Sequence, residues 1–170
     1  MPTTRHASAG ILADQNAAKR EEIVGLLTRA YWMEMETVMN YLAISSHLDG
    51  VRAEEIAEAL AADVTEELGH AKAFAGRIKE LYGVVPGSLE FTAEQSYLQP
   101  PDEQTDIVHV IRGVIEAEAG AIEHYTRLIE ACDGVDWATQ DMVIDILRDE
   151  QGHKRLFEGF LREYEAEGRA

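Results

Sequence analysis

A glutamate followed three positions later by a histidine occurs twice in this chain of 170 residues. Each copy has a second glutamate 33 or 32 residues upstream, and that upstream glutamate is followed seven positions later by Tyr41 or Tyr125. The two halves together supply four carboxylates and two imidazoles, from Glu34, Glu67, His70, Glu118, Glu150 and His153. Such a set is typical of a two-metal carboxylate site inside a four-helix bundle.

Apolar residues recur at steps of three and four around each of these glutamates, as they do on one face of an α-helix. In the third helical segment, for example, one such stripe contains Ile111, Ile115, Glu118 and Ile122. The glutamate of each stripe takes a position that should hold a core residue, and a histidine three residues later points to the same side. We therefore expect the six side chains to converge in the interior of the bundle.

Four buried carboxylates would repel one another strongly or would take up protons. Two divalent cations would balance the four negative charges while both imidazoles stay neutral. Mixed oxygen and nitrogen ligands with open coordination positions suit iron or manganese better than structural zinc. Glu36, Glu66 and Glu116 fall off the stripes or lack a partner in the repeat, so we expect them outside the site.

The periodicity and the turn residues predict four helices, at about 14–48, 52–82, 103–131 and 136–167. The segment 84–102 contains three prolines and cannot be helical throughout. Short links join the first helix to the second and the third to the fourth, so the expected fold is all-α, a four-helix bundle with one long crossover. Residues 1–14 are expected to form a flexible N-terminal arm, and residues 15–167 the bundle.

Acidic residues outnumber basic ones by 32 to 15, which gives a net charge of −17 and argues against nucleic acid as a partner. The acidity either serves solubility or attracts metal cations. No apolar run is long enough to span a membrane, and residues 1–10 do not resemble a signal peptide. The single cysteine, Cys132, excludes an internal disulfide and fits the reducing cytoplasm, where we expect the protein.

The segment 141–153 resembles the fourth helix of bacterioferritins, and segments 34–41 and 67–71 resemble their first and second helices. The chain is thus similar to the ferritin-like superfamily over about residues 20–167. The resemblance implies two iron ions, with manganese as a possible replacement, and a role for Tyr41 in donating an electron or a hydrogen bond to a ligand. It also implies that two glutamates bridge the metals and that a glutamate and a histidine complete each metal: Glu67 and Glu150 as bridges, Glu34 with His70, and Glu118 with His153.

The chain departs from the bacterioferritin pattern at two places. Leu68 stands where bacterioferritins have the haem-binding methionine, so we do not expect haem. About 17 residues follow His153, too few for the fifth helix of 24-subunit ferritins. We therefore expect a homo-oligomer with a dimer as its building block, and we favour a dodecamer like that of Dps-like mini-ferritins, some of which carry a cysteine pair that the lone Cys132 does not match.

Three functions fit this sequence. The leading hypothesis is a ferroxidase that oxidises Fe(II) with O2 or H2O2, for iron storage or detoxification in a hollow oligomer. The second is a di-metal enzyme that stores no iron: a rubrerythrin-like peroxidase, a manganese catalase or an oxygenase. The third is a non-catalytic protein whose metals only support the fold.

Several other residues have simpler interpretations. Tyr41 and Tyr125 could equally be core residues with a hydroxyl hydrogen bond. We expect the two tryptophans and Cys132 to be packing residues. We expect three of the histidines to lie at the surface or at helix ends, namely His47, His109 and His124.

Overall fold

The computed structural model describes residues 10–168, which form four long helices, two short 3-10 turns and no strand. The helices are α1 (Ala17–His47), α2 (Ala53–Glu80), α3 (Ile107–Cys132) and α4 (Trp137–Ala166). The 3-10 turns are Asp14–Asn16 and Ser88–Glu90. The predicted all-α four-helix bundle is confirmed, and within the described residues no helix is long and apolar enough to cross a membrane.

The four helices form two hairpins joined by a long crossover. Segment 48–52 connects α1 to α2, and segment 133–136 connects α3 to α4, so the helices of each pair run antiparallel and pack most extensively against each other. The crossover, residues 81–106, joins α2 to α3, as the sequence predicts. It approaches α3 so closely that a Cβ added at Gly113 would lie 2.6 Å from the carbonyl oxygen of Tyr97.

Two helices begin at capping aspartates. The Asp106 carboxylate accepts a hydrogen bond from the backbone N–H of His109 (3.1 Å), and the Asp136 carboxylate accepts one from the N–H of Thr139 (3.1 Å). Such caps satisfy N–H groups that have no partner within the helix. The third helix therefore begins at Ile107 and not near residue 103 as predicted.

The apolar core is divided into two clusters by a polar layer. One cluster, including Ile44, Leu60 and Phe157, packs in one half of the bundle, and the other, including Leu27 and Phe74, packs in the other half. Each helix passes from one cluster to the other, with one of the four glutamates at the crossing point. A fully buried Leu, Ile or Phe side chain contributes about 1.5–3 kcal/mol, so the two clusters can offset the cost of a buried polar layer between them.

The chain before α1 packs on the end of the bundle. Ile11 and Ala13 are buried, and Arg20 Nη1 donates a hydrogen bond to the carbonyl oxygen of Ile11 (3.0 Å). Residues 10–14, which the sequence assigns to a flexible arm, are therefore anchored by an apolar contact. Residues 1–9 of that arm lie outside the described residues, and the division into arm and bundle stays a prediction.

Candidate metal centre

The six residues singled out by spacing lie together midway along the bundle. α1 contributes Glu34, α3 contributes Glu118, and α2 and α4 each contribute a glutamate and a histidine. Each of the four glutamates is at most 3% exposed, although a glutamate side chain in water carries a negative charge. His70 is also buried, and His153 is nearly so. The helical stripes therefore bring all six predicted site residues into one layer.

These residues form two overlapping groups, and in each group one oxygen or nitrogen atom of every residue lies within 4.8 Å of those of the others. The first group consists of Glu34, Glu67, His70 and Glu150, and the second of Glu67, Glu118, Glu150 and His153. Glu67 and Glu150 belong to both groups, whereas the other four residues belong to one each. The layer therefore has a central pair of carboxylates with one carboxylate and one imidazole on either side.

Both imidazoles direct Nδ1 towards the central carboxylates. His70 Nδ1 lies 3.3 Å from a carboxylate oxygen of Glu67 and 3.1 Å from one of Glu150. His153 Nδ1 lies 3.4 Å from Glu67 and 3.5 Å from Glu150. The two histidines thus approach the same pair of carboxylates from equivalent positions on α2 and α4.

The other ring nitrogen of each histidine faces an acid of the opposite helix. His70 Nε2 lies 3.3 Å from Asp149, and His153 Nε2 lies 3.4 Å from Glu66. An N–H group donated outward to a carboxylate fixes the ring and its tautomer, and it leaves Nδ1 as the nitrogen that can ligate a metal. Sequence reasoning placed Glu66 outside the site and did not single out Asp149. The missed signal is that each acid directly precedes the glutamate of its motif.

The two tyrosines hold the outer glutamates across the two halves of the chain. The Tyr41 hydroxyl donates a hydrogen bond to Glu118 (2.6 Å), and the Tyr125 hydroxyl donates one to Glu34. Burial, reinforced by the neighbouring carboxylates, raises the pKa of both tyrosines well above 10. Both phenols therefore stay protonated and act as neutral donors.

The electrostatics of the central pair favour two ion pairs. Burial opposes ionisation of Glu67, but the nearby imidazoles lower its pKa to about 2, and they lower the pKa of Glu150 in the same way. Burial likewise opposes protonation of the histidines, but the two carboxylates raise the pKa of His70 to about 10 and that of His153 to about 12. Without metal ions, the centre therefore holds two carboxylates beside two imidazolium groups at neutral pH.

The outer glutamates are neutral acids under the same conditions. Burial, and then repulsion from the other carboxylates, raises the pKa of Glu34 and of Glu118 well above the ordinary value. Two carboxylates, two imidazolium ions and two neutral acids sum to zero charge. Protons thus balance the charge of the four carboxylates, as two divalent cations would if they replaced the protons.

The donor atoms of the layer fit a pair of cations. Glu67 Oε1, Glu150 Oε1 and His153 Nδ1 are buried and have no hydrogen-bond partner, although other donor atoms lie within 3.1–3.5 Å. Unpaired buried polar atoms are costly, so a group of them is an uncommon feature of a protein core. These atoms lie within ion-pair distance of one another but lack a well-aligned hydrogen bond, an arrangement that would suit ligands of a common cation, and the oxygen and nitrogen set suits first-row metals.

Asp63 is a further acid near the centre that sequence reasoning missed. It is buried, its Oδ2 atom has no partner, and it lies close to Glu66 and His153. Burial raises its pKa to about 6. Its position four residues before Glu67, on the same face of α2, was the available signal.

The remaining expectations have mixed outcomes. Glu36 lies outside the six-residue layer, as expected, and accepts hydrogen bonds from the backbone N–H groups of Glu94 and Gln95. Cys132 is buried in the core, also as expected. The expectation that His124 lies at the surface or at a helix end is wrong, because it lies within α3, its ring is buried and its Nε2 donates to the carbonyl oxygen of Leu26 (2.9 Å).

The two tryptophans also differ from each other. Trp32 packs between Tyr31 and Phe91, with ring centroids 5.0 and 5.1 Å away, as expected of a packing residue. Trp137 is 72% exposed, so its assignment as a packing residue within the bundle is wrong. It is the first residue of α4, at the end of the bundle, where few neighbours can cover it.

A bundle with one long crossover and a duplicated glutamate–histidine layer defines a ferritin-like protein. A family model described as the ferritin-like domain matches residues 24–166, and the chain belongs to that family. The resemblance stated from the sequence is thereby confirmed.

Two relatives extend this assignment. The chain is 30% identical over 155 residues to the DNA protection during starvation protein of Pyrococcus furiosus, covering 88% of this chain and 82% of that one. It is 24% identical over 148 residues to the bacterioferritin of Desulfovibrio desulfuricans, covering 86% of this chain and 78% of that one.

Solved structures show the same fold. The Desulfovibrio desulfuricans bacterioferritin, determined with its diiron site in different catalytic states, has a TM-score of 0.76 at 21% identity and covers 88% of this chain and 84% of its own. The dodecameric thioferritin of Bacteroides fragilis has a TM-score of 0.75 at 19% identity and covers 88% of this chain and 89% of its own.

Proposed function

We propose that this protein is a di-iron ferroxidase that binds two Fe(II) ions per chain and oxidises them with O2 or H2O2. The observation that carries the proposal is the overlap of two four-residue groups at Glu67 and Glu150. A pair of carboxylates common to both groups can hold two metal ions close enough for a two-electron reaction. The kinship with a bacterioferritin and with a DNA protection during starvation protein supports iron as the metal, ahead of manganese.

Each residue has a defined role in this proposal. Glu67 and Glu150 would bridge the two ions, and Glu34 with His70, and Glu118 with His153, would complete one ion each. Two Fe(II) substrates supply two electrons, which with two protons reduce H2O2 to two waters or O2 to H2O2. The product is two Fe(III) ions, which leave the centre for storage.

The chain's own contribution is to position the ligands and exclude water. Tyr41 and Tyr125 each fix an outer glutamate by donating a hydrogen bond, and Asp149 and Glu66 fix the two histidines. The two apolar clusters close the layer from both ends of the bundle. A low local dielectric strengthens every interaction between these carboxylates and a cation.

We further propose that the chain assembles from dimers into a hollow dodecamer in the cytoplasm that stores or detoxifies the iron, without haem. The dodecameric state of the thioferritin with the same fold supports this size. The high negative charge of the chain suits a shell that takes up cations.

The experiment that tests the function measures native particle size by light scattering in line with gel filtration, and counts iron on the same peak after aerobic loading with Fe(II). A dodecamer that takes up many more than two irons per chain supports storage. A small oligomer that holds two metals per chain would contradict storage and favour the non-storing di-metal enzyme. Failure to bind two metals per chain would contradict the proposed centre itself.

A further inference from the structure

The metal centre has a second side, away from the histidines, where a small cavity lies between α1 and α3. Its volume is about 10 Å³, on the scale of a single water molecule. The four glutamates line it, but neither histidine does. The other lining residues are Met33, Thr37, Gln95, Ala117, Ala121 and Tyr125.

Gln95 is the one lining residue that belongs to the crossover and not to a helix. Its side-chain amide donates to the hydroxyl of Thr37 (2.8 Å) and accepts from the Asn40 amide (3.0 Å). Its backbone N–H donates to Glu36 (2.8 Å), and the residue is 4% exposed. A longer hydrogen bond joins the amide to the carbonyl oxygen of Met33 (3.4 Å), so four hydrogen bonds to α1 hold Gln95 in place beside the cavity.

A groove of about 290 Å³ lies next to this cavity on the outside of α1. Arg29, Trp32, Met33, Glu36 and Glu94 line this groove together with part of the crossover. Because Met33 lines both spaces, the partition between solvent and the carboxylates is only about one side chain thick. Met33 forms that partition, and Gln95 lies behind it on the cavity side, where its amide donates to the carbonyl oxygen of Met33.

The partition is poorly suited to a cation. The thioether of Met33 is a soft ligand, and the amide oxygen of Gln95 behind it already accepts a hydrogen bond from Asn40, so neither readily replaces the water shell of a divalent ion. Two of the three acids of the groove are already engaged, because Glu36 accepts backbone N–H groups and Glu94 pairs with Arg29 (2.8 Å). The third, Glu90, is exposed to water. A small neutral molecule loses far less hydration on passing such a barrier.

The opposite side of the centre has the reverse character. Glu66 and Asp149 are about half exposed and lie beside the outer nitrogens of His153 and His70. Half-exposed carboxylates beside the two imidazoles attract cations to this side of the centre. The two sides thus differ in charge and in exposure to water.

We propose that Gln95 is a specificity-determining residue that admits the small neutral oxidant to the centre from the α1–α3 side, while metal ions arrive on the histidine side. This inference rests on the proposed function. Gln95 controls the width of the passage, so it excludes oxidants larger than O2 or H2O2.

The test compares Gln95→Ala with the matched control Gln99→Ala. Gln99 belongs to the same network, because its amide donates to Asn40 (3.3 Å) and to the carbonyl oxygen of Gln95 (3.0 Å), but it does not line the cavity. Nitric oxide, a neutral probe of the size of O2, is mixed rapidly with the anaerobic Fe(II)-loaded protein, and its association rate is measured. Cobalt(II) loading of the metal-free protein is followed by its absorbance.

Gln95→Ala is expected to raise the nitric oxide association rate several-fold and to leave the Co(II) loading rate unchanged. It should also reduce the preference for H2O2 over tert-butyl hydroperoxide in iron oxidation. Gln99→Ala should match the wild type in all three measurements. If the alanine variant does not fold, Gln95→Asn takes its place. It keeps the amide, shortens the side chain by one methylene and should change the three measurements in the same direction.

Two results would overturn the inference while the metal centre stands. One is an unchanged nitric oxide rate in the Gln95 variant, and the other is an acceleration of Co(II) loading by a similar factor, which would make this side the route of the cation. Failure of the wild-type protein to bind two Co(II) ions per chain would be a different result, because it would remove the proposed function itself.

Discussion

Glu67 and Glu150 differ from the other ligands of the proposed centre because each contacts both imidazoles. Glu34 and Glu118 each belong to only one of the two donor groups. The consequences of losing a carboxylate should therefore depend on its place in the layer, although all four are equally buried glutamates.

Replacing an outer glutamate should remove one metal, and replacing a central glutamate should weaken both. We expect Glu34→Gln to reduce tight Co(II) binding from two ions per chain to one. Glu67→Gln should lower the affinity for both ions, by more than the roughly 10–100-fold loss typical of a change outside the direct ligands. Titration followed by absorbance measures both effects, and Glu118→Gln is the mirror-image control for Glu34→Gln. Identical behaviour of Glu34→Gln and Glu67→Gln would contradict the bridging arrangement.

The two tyrosines provide a matched pair of variants. Tyr41→Phe and Tyr125→Phe each remove one hydrogen bond to an outer glutamate, so we expect equal losses of roughly 10–100-fold in the affinity of one metal. The two variants should also oxidise iron at equal rates, measured in stopped flow at saturating Fe(II). A loss of oxidation rate in Tyr41→Phe alone would identify Tyr41 as an electron donor and not only a positioning residue.

Metal binding should release protons. His70 and His153 are protonated at pH 7 because the central carboxylates raise their pKa values. Glu34 and Glu118 are protonated because burial raises their pKa values. Two imidazoles and two carboxylates must lose these protons to act as ligands, so loading two metals should release roughly four protons. Affinity should therefore rise with pH and fall in acid.

Calorimetric titration of Co(II) in buffers of different ionisation enthalpy gives the number of protons released. A value close to zero would show that the layer is already deprotonated before the metal binds. A buffer series at a second pH, one unit lower, checks the sign, because the apparent affinity should be weaker there.

The sequence predicts well where the six side chains of the buried layer lie, because burial on a helix is periodic and a glutamate in an apolar stripe is conspicuous. It predicts their surroundings poorly. Glu66 and Asp149 lie on half-exposed faces, where acids are common, so only their repetition before both motifs distinguishes them. Gln95 could not be found from its spacing, because the path of an irregular segment depends on tertiary contacts.

At the scale of elements, the crossover is the part of the fold that the sequence describes least. Prolines show that it is not a single helix, but its contacts with α1 and α3 are seen only in the structure. Helix ends were predicted less well than helix interiors, because a single capping side chain such as that of Asp106 decides where a helix begins. The same crossover covers one side of the centre, so its packing bears on function.

The close approach of the crossover to α3 requires a glycine. Gly113→Ala should destabilise the protein by about 1–3 kcal/mol, because the new methyl group would overlap the carbonyl oxygen of Tyr97. A Cβ added at Gly120 on the same helix has no neighbour within 4 Å, so Gly120→Ala should stabilise the protein by up to about 1 kcal/mol through its higher helix propensity. Urea unfolding of both variants measures the difference, and equal shifts would contradict a tight contact at Gly113.

At the scale of the whole molecule, the net charge of −17 should affect how fast cations arrive. Electrostatic attraction to an acidic surface raises association rates and is screened by salt. The Debye length falls from about 30 Å at 0.01 M salt to about 10 Å at 0.1 M. We therefore expect Co(II) association to slow several-fold over this range, while nitric oxide association with the Fe(II)-loaded protein stays constant.

Rapid mixing at a series of sodium chloride concentrations tests this prediction with the same two probes. A Co(II) rate that does not depend on salt would mean that the acidity serves only solubility. If the nitric oxide association rate depended on salt as steeply as the Co(II) rate, salt would be acting on the fold in general and not on the attraction of cations.

The contacts that support the centre all cross from one hairpin to the other. Tyr41 in the first hairpin holds Glu118 in the second, Tyr125 in the second holds Glu34 in the first, and each histidine faces an acid of the opposite hairpin. Neither hairpin alone would carry a supported ligand set. During synthesis, a nascent chain with formed helices but undocked hairpins would offer only unfinished half-sites to the cellular metal pool, so a redox-active ion would be captured only after folding is complete.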